Sequence, residues 1–190
     1  MTYKVIRNFI DKNTTDLLYK HSILLDQRLA YLRDKEHDPN TFGTFNDGQV
    51  PGAFSIYAEP IFETLLLTKK NTVQNIIGQT IYPGYSYLRV YKQGSELKKH
   101  KDRPACEITL SLCLGNDGLD WPLSLATDNG VEHLVLNPGD GLLYDGRKME
   151  HWRDPFEGNL QAQVFLHYVT KEQSKFDSRP TLGLPDKYRK

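Results

Sequence analysis

Two hydrophobic periods divide this chain. Up to about residue 79 the apolar positions recur at helical spacing. Leu17, Leu18, His21, Leu24, Leu25 and Leu29 fall on one face of a helix, and residues 11–15 supply the polar types that cap its start. Residues 5–10, ahead of it, read as a short strand. Residues 34–51 are polar, turn-rich and without a period, so they read as a loop and a candidate flap near a site. Over 55–78 two further helical stretches are predicted, broken near Lys69-Lys70-Asn71 and stopped by Gly78.

From about residue 80 the period falls to two. Tyr85, Tyr87, Arg89 and Tyr91 share one strand face, and Ser86, Leu88 and Val90 share the other. Residues 107–114 alternate likewise, with Ile108, Leu110, Leu112 and Leu114 opposite Thr109, Ser111 and Cys113. Residues 119–126 and 132–136 read as strands around Asp128-Asn129-Gly130. Asn137-Pro138-Gly139-Asp140 is a tight turn into a strand at 141–144, and 161–169 is a last strong strand. Helices followed by about eight strands predict a mostly β fold with N-terminal helices. The expected form is a double-stranded β-helix (jelly roll) with the helices packed on its major sheet. One domain is expected over 1–190, with helical support to about 79, a β core over about 80–170 and a tail from 171.

Composition narrows the class. Lys plus Arg and Asp plus Glu are both 24, which argues against a nucleic-acid-coating or membrane-surface protein. No apolar run approaches the ~20 residues that span a bilayer, and the first residues lack the apolar segment of a signal peptide. The two cysteines, Cys106 and Cys113, form no CxxC pair, so neither a disulfide framework nor a zinc site is expected. A reducing, cytoplasmic setting fits, with no nucleic-acid or membrane partner.

The chemistry-bearing residues are His100-Lys101-Asp102 and His151. Two imidazoles and one carboxylate form the facial triad of non-haem Fe(II), which leaves the opposite face of the metal open. On a strand, residues i and i+2 point the same way, so His100 and Asp102 can reach one ion while Lys101 points elsewhere. His151 must then come from a distant strand folded beside them. Lys98, Lys99, Lys101 and Arg103 surround the first ligands and would draw in an anion.

These residues and their flanks resemble a family. The run Ser86-Tyr87-Leu88-Arg89-Val90-Tyr91, then Gly94 and His100-Lys101-Asp102, resembles the Fe(II)/2-oxoglutarate-dependent dioxygenases of the prolyl 4-hydroxylase-like group. So do Asn137-Pro138-Gly139-Asp140-Gly141 with Tyr144, Glu150-His151-Trp152-Arg153, and Val164-Phe165-Leu166-His167-Tyr168. The resemblance covers about residues 80 to 170. It implies a hydroxylase that binds Fe(II) through His100, Asp102 and His151, with 2-oxoglutarate and O2 as co-substrates and ascorbate as a reductant. The products would be succinate, carbon dioxide and a hydroxylated substrate, which could be a peptidyl prolyl residue or a small molecule.

One feature of the family pattern is absent. A Lys or Arg about nine or ten residues after the distal His usually pairs with the far carboxylate of 2-oxoglutarate, and here Leu160 and Gln161 stand there. A dicarboxylate buried without a cation is costly. Arg89, on the same strand face as Tyr91, is the expected replacement, because its fork matches a carboxylate. Tyr91, Thr109 and Gln163 complete the expected co-substrate set, and Cys113 shares the strand face of Thr109. Arg103, Arg147, Trp152 and Arg153 flank the ligands and are candidates to meet the primary substrate. His167 is expected on the outer face of the last strand. The missing cation keeps two alternatives open: a cupin-like iron dioxygenase that uses no 2-oxoglutarate, and a metal-binding module without catalysis.

Overall fold

The computed structural model describes residues 3–32 and 42–171. Strand β1 (Lys4–Ile6) leads into helix α1 (Lys12–Leu32). The Asp11 carboxylate accepts from the Thr14 backbone N–H at 3.0 Å, which occupies one orphan donor of the first turn. The predicted face of α1 is rotated in the structure. Leu18, Leu25 and Leu29 are buried with Thr15, Ser22 and Asp26, whereas Leu17 and Leu24 are 61% and 64% exposed. A leucine-based reading chose the wrong edge because Ser22 returns its hydroxyl to the Leu18 carbonyl at 2.7 Å and sits inside.

Residues 55–78 also differ from the expectation. Their first part belongs to a strand, β2 (Phe54–Tyr57), and the rest is one unbroken helix, α2 (Pro60–Ile77). Pro60 opens it, the Glu59 carboxylate accepts from the Ile61 N–H, and Gly78 closes it at φ 75°. The expected break fails because Lys69 and Lys70 lay their stems on the protein, with ammonium groups over the rings of Phe9 and Tyr82.

The remaining strands are β3 (Tyr82–Lys92), β4 (Leu97–His100), β5 (Ile108–Asn116), β6 (Leu123–Thr127), β7 (Gly130–Leu134), β8 (Gly141–Tyr144), β9 (His151–Arg153) and β10 (Leu160–Val169). A six-stranded sheet runs β1-β8-β5-β10-β3-β2, and a four-stranded sheet runs β4-β9-β6-β7. All pairings are antiparallel. This is the expected double-stranded β-helix. The first 79 residues contribute more than helices, since β1 and β2 form the two edges of the major sheet.

Alternation sorts the major sheet into two faces. Leu88 and Val90, Leu110 and Leu112, and Val164 and Leu166 turn outward and bury against α1 and α2 in one apolar cluster. The Lys92 ammonium adds an ion pair to the buried Asp26 of α1. The inward face is polar and aromatic. Gln163 sits between Arg89 of β3 and Cys113 of β5, and Gln161 lies opposite Tyr91. The turn before β8 is held by Asp140, whose buried carboxylate accepts from the backbone N–H groups of Asn8 and Asn137 at 2.9 Å and from Arg7 at 2.6 Å.

The predicted loop over 34–51 lies partly outside the described residues, which resume at Phe42. Its described half is docked on the sheet. Thr44 and Ser55 form a β-bridge, and Val50 is 1% exposed. Gly43 has φ 86°, and a Cβ there would lie 2.6 Å from the Phe54 ring, so only glycine fits. Asp47 is the inward pin. It accepts from the Tyr87 hydroxyl at 2.5 Å, from the Arg89 guanidinium and from the Gln49 N–H at 2.8 Å. Burial would raise the Asp47 carboxyl, but Arg89 and these donors outweigh it and hold it below its ordinary value.

Two predictions follow from the packing. Leu25→Ala should lower stability in urea unfolding by about 2–5 kcal/mol, whereas Leu24→Ala, one position away, should change it by no more than about 0.5 kcal/mol. Equal losses would mean that α1 packs on the other edge. Asp47→Asn should cost about 1–3 kcal/mol and raise amide exchange over residues 42–51. A depressed carboxyl stabilises above its unfolded value of 3.8 and loses that contribution as pH falls through the folded value. Acidification below 3.8 should therefore lower the parent segment's protection relative to intrinsic exchange and leave the variant's protection unchanged.

Candidate functional site

Between the two sheets lies a cavity of about 280 Å³. Its wall on the minor sheet carries the three predicted ligands. His100 ends β4, His151 begins β9, and the two are register partners. Asp102 lies just beyond β4, where its N–H donates to the Gly146 carbonyl at 2.9 Å. One ligand atom from each of His100, Asp102 and His151 lies within 4.8 Å of the others. The approach requires Gly146, because a Cβ there would fall 2.2 Å from Asp102 Oδ2.

Hydrogen bonds set the imidazole tautomers. His100 Nδ1 faces the Lys98 carbonyl at 2.7 Å, and His151 Nδ1 faces the Met149 carbonyl at 3.0 Å. Each Nδ1 therefore carries hydrogen and donates, which leaves both Nε2 lone pairs for a metal. Those Nε2 atoms stand 3.5 and 3.6 Å from Asp102 Oδ1. Burial pushes the His151 pKa down and favours the neutral, ligating form. For Asp102, burial acts upward, but the His100 contact and both neighbouring imidazoles outweigh it and hold the carboxyl below its ordinary value. Two lone pairs and an anion converging on one point fit a divalent cation with nitrogen and oxygen preference.

The major sheet supplies the rest of the cavity. Tyr57, Tyr85, Tyr87, Phe165 and His167 form an aromatic wall, with ring centroids 4.5 Å apart for Tyr85 and His167 and 4.6 Å for Tyr57 and Tyr87. His167 thus faces inward, contrary to the sequence expectation, because Leu166 and Tyr168 take the outer face against the helices. Its Nδ1 meets the Thr109 hydroxyl at 3.1 Å, and that hydroxyl lies 3.5 Å from Asp102 Oδ2. Thr109 therefore supports the carboxylate ligand from behind and is not among the residues lining the cavity.

Three arginines line the cavity: Arg89, Arg103 and Arg153. Arg89 is the cation expected to await an anion, yet its guanidinium already holds Asp47 and the Gln49 side chain, the latter at 2.9 Å. Arg103 is exposed and donates to the Tyr85 hydroxyl at 3.2 Å. Arg153 is 2% exposed and donates to the Trp121 carbonyl. Tyr91 is buried beside the cavity, its hydroxyl 3.5 Å from Arg89 Nη1. Gln163 is fully buried, and neither of its side-chain polar atoms has a hydrogen-bond partner among the described residues.

Of the four candidates to meet the primary substrate, two turn away from the cavity. Arg147 is drawn away by Glu107 at 2.7 Å and Asp145 at 3.4 Å. Trp152 follows strand alternation to the face opposite His151 and Arg153, where Lys99 covers its ring at 4.9 Å. The sequence reading omitted Asp47, Gln49 and Tyr57. A loop without a period and a four-residue strand carry no signal that aims their side chains.

No family model matches the chain, and no curated protein matches it. Solved structures do. A prolyl-4-hydroxylase from Pseudomonas putida is similar at TM-score 0.63 and 12% identity, over 90% of this chain and 93% of that one. The viral collagen prolyl hydroxylase of Paramecium bursaria Chlorella virus-1, solved with 2-oxoglutarate, gives 0.60 and 14%, over 88% and 96%. EctD from S. alaskensis with bound iron gives 0.63 and 16%, over 95% and 78%. This chain shares the fold of these three proteins, the double-stranded β-helix.

Proposed function

We propose that this protein is an Fe(II)- and 2-oxoglutarate-dependent dioxygenase that hydroxylates an organic substrate and releases succinate and carbon dioxide. The observation that carries this reading is the convergence of two Nε2 lone pairs and an ionised carboxylate on one point of a cavity wall. The fold likeness to a hydroxylase solved with 2-oxoglutarate and to a protein solved with iron supports it.

His100, Asp102 and His151 would hold the iron, which supplies Lewis-acid and redox chemistry when bound. The chain's own residues do the positioning. The Lys98 and Met149 carbonyls hold the imidazoles, Thr109 backs the carboxylate, and Gly146 leaves it room. The aromatic wall offers flat, apolar surface on which a substrate ring or methylene can rest while water is kept out. A peptidyl prolyl residue is the first substrate to test, because two proteins of similar fold are prolyl hydroxylases.

The test incubates the protein with Fe(II), 2-oxoglutarate and O2, with and without ascorbate, beside a peptide and metabolite library. Succinate release matched by oxygen uptake, with a gain of one oxygen in a library member by mass spectrometry, is the expected result. Oxygen uptake without succinate would instead identify an iron dioxygenase that bypasses 2-oxoglutarate. Asp102→Ala removes the only anionic ligand and should abolish both Mn(II) binding and turnover. Gly146→Ala should weaken metal binding by displacing that carboxylate. A parent-like Mn(II) titration in Asp102→Ala would overturn the metal assignment.

A further inference from the structure

Arg153 is a buried cation in the cavity without a carboxylate partner among the described residues. Of the three arginines there, Arg89 is matched by Asp47, and Arg103 lies exposed on the aromatic wall. Arg153 is enclosed, with the Trp121 ring 4.7 Å from its guanidinium and the Trp121 carbonyl accepting from Nη1. A buried guanidinium with one neutral acceptor is expensive, since desolvation costs several kcal/mol per ion. An anion arriving in the cavity would relieve that cost.

The surroundings are prepared for such an anion. The groups in electrostatic reach of Arg153 include Tyr91, Cys113, Tyr144 and His151. Tyr144 lines the same cavity as Arg153, and its ring meets the His151 ring at 5.1 Å. In sheet register, Gln161 lies beside Tyr91, and Gln163 lies beside Cys113. Both glutamines are at least 98% buried, and their side chains carry polar atoms that meet no hydrogen-bond partner among the described residues: Gln161 Oε1, Gln163 Nε2 and Gln163 Oε1. Strand alternation supplies the direction. His151 and Arg153 are the two buried residues of β9, on one face, with Trp152 between them on the other.

We propose that Arg153 binds the distal carboxylate of 2-oxoglutarate, with Tyr91 and the Gln163 amide as neutral donors beside it. The charge that the family pattern noted in the sequence places at the start of the last strand has moved to the strand of the distal His. Gln161 occupies the inward position where that charge would stand, and Leu160 packs outward with the helix-side cluster. The inference rests on the co-substrate reading above and fixes which residue confers preference for a 2-oxo acid with a second carboxylate.

The experiment measures anaerobic binding to Mn(II)-loaded protein by calorimetry, with 2-oxoglutarate and with 2-oxobutyrate, which lacks the distal carboxylate. The parent should prefer 2-oxoglutarate. Arg153→Gln should lower its affinity by roughly 10- to 100-fold, the range for one charge-assisted contact, and leave 2-oxobutyrate and Mn(II) affinity unchanged. Arg153→Lys should retain part of the preference. Adding Gln161→Arg to Arg153→Gln should recover part of it, which a purely structural role for Arg153 would not allow. Arg89→Gln should leave the ratio of the two acids as in the parent. If the parent binds neither acid, the co-substrate reading falls and takes this inference with it. If the parent prefers 2-oxoglutarate and Arg153→Gln keeps that preference, or if Arg89→Gln abolishes it, only the assignment of Arg153 is overturned.

Discussion

The in–out alternation of β3, β5 and β10 in the major sheet, maintained across two register shifts, is the constraint on which the rest depends. These strands lie at its centre, so each residue must face either the helices or the interior between the sheets. The outward set is continuously apolar and receives α1 and α2. The inward set is therefore released from packing against helices and can be polar: Arg89, Gln163, Thr109 and His167 are all there. A slip of one residue in β10 would bury Gln163 and His167 under the helices and expel Val164 and Leu166. The hydrophobic cost of that exchange, about 1.5–3 kcal/mol per large side chain, fixes the register and with it the cavity wall.

The minor sheet works differently. It is short, and its ligands are placed by local hydrogen bonds more than by a buried apolar face. The Lys98 and Met149 carbonyls orient the imidazoles, and the Gly146 carbonyl receives the Asp102 N–H. The major sheet reaches across to complete this set, through Thr109 behind Asp102 and the Tyr144 ring against His151. The candidate metal centre is thus assembled on one sheet and braced by the other.

Charge inside the cavity follows from who reaches whom. Asp47 comes from a loop docked by Val50 and by the Thr44–Ser55 bridge, and it neutralises Arg89. That leaves Arg153 as the enclosed cation that, among the described residues, meets a backbone carbonyl and no carboxylate. The two arginines look alike in sequence, since each shares a strand face with a site residue. They differ because one lies beside a loop carboxylate and the other does not.

The sequence by itself determined much of this protein. The period-two runs from residue 80 located most of the strands, and the His-x-Asp spacing with a later His named the residues that meet at the candidate metal centre. The strand readings succeed because alternation is local, whereas Asp102 lies beyond the end of β4 and is placed by its N–H to the Gly146 carbonyl, not by i, i+2 strand geometry. What only the tertiary structure decided involves partners distant in sequence. The rotation of α1 depended on a sheet that buries Ser22 and leaves Leu24 in water. The inward turn of His167 depended on which face of β10 the helices covered. The state of Arg89 depended on Asp47, a loop residue 42 positions earlier whose direction no periodicity encodes. The contrast between a matched Arg89 and an unmatched Arg153 is electrostatic, and electrostatics is set by distances that exist only after the chain has folded.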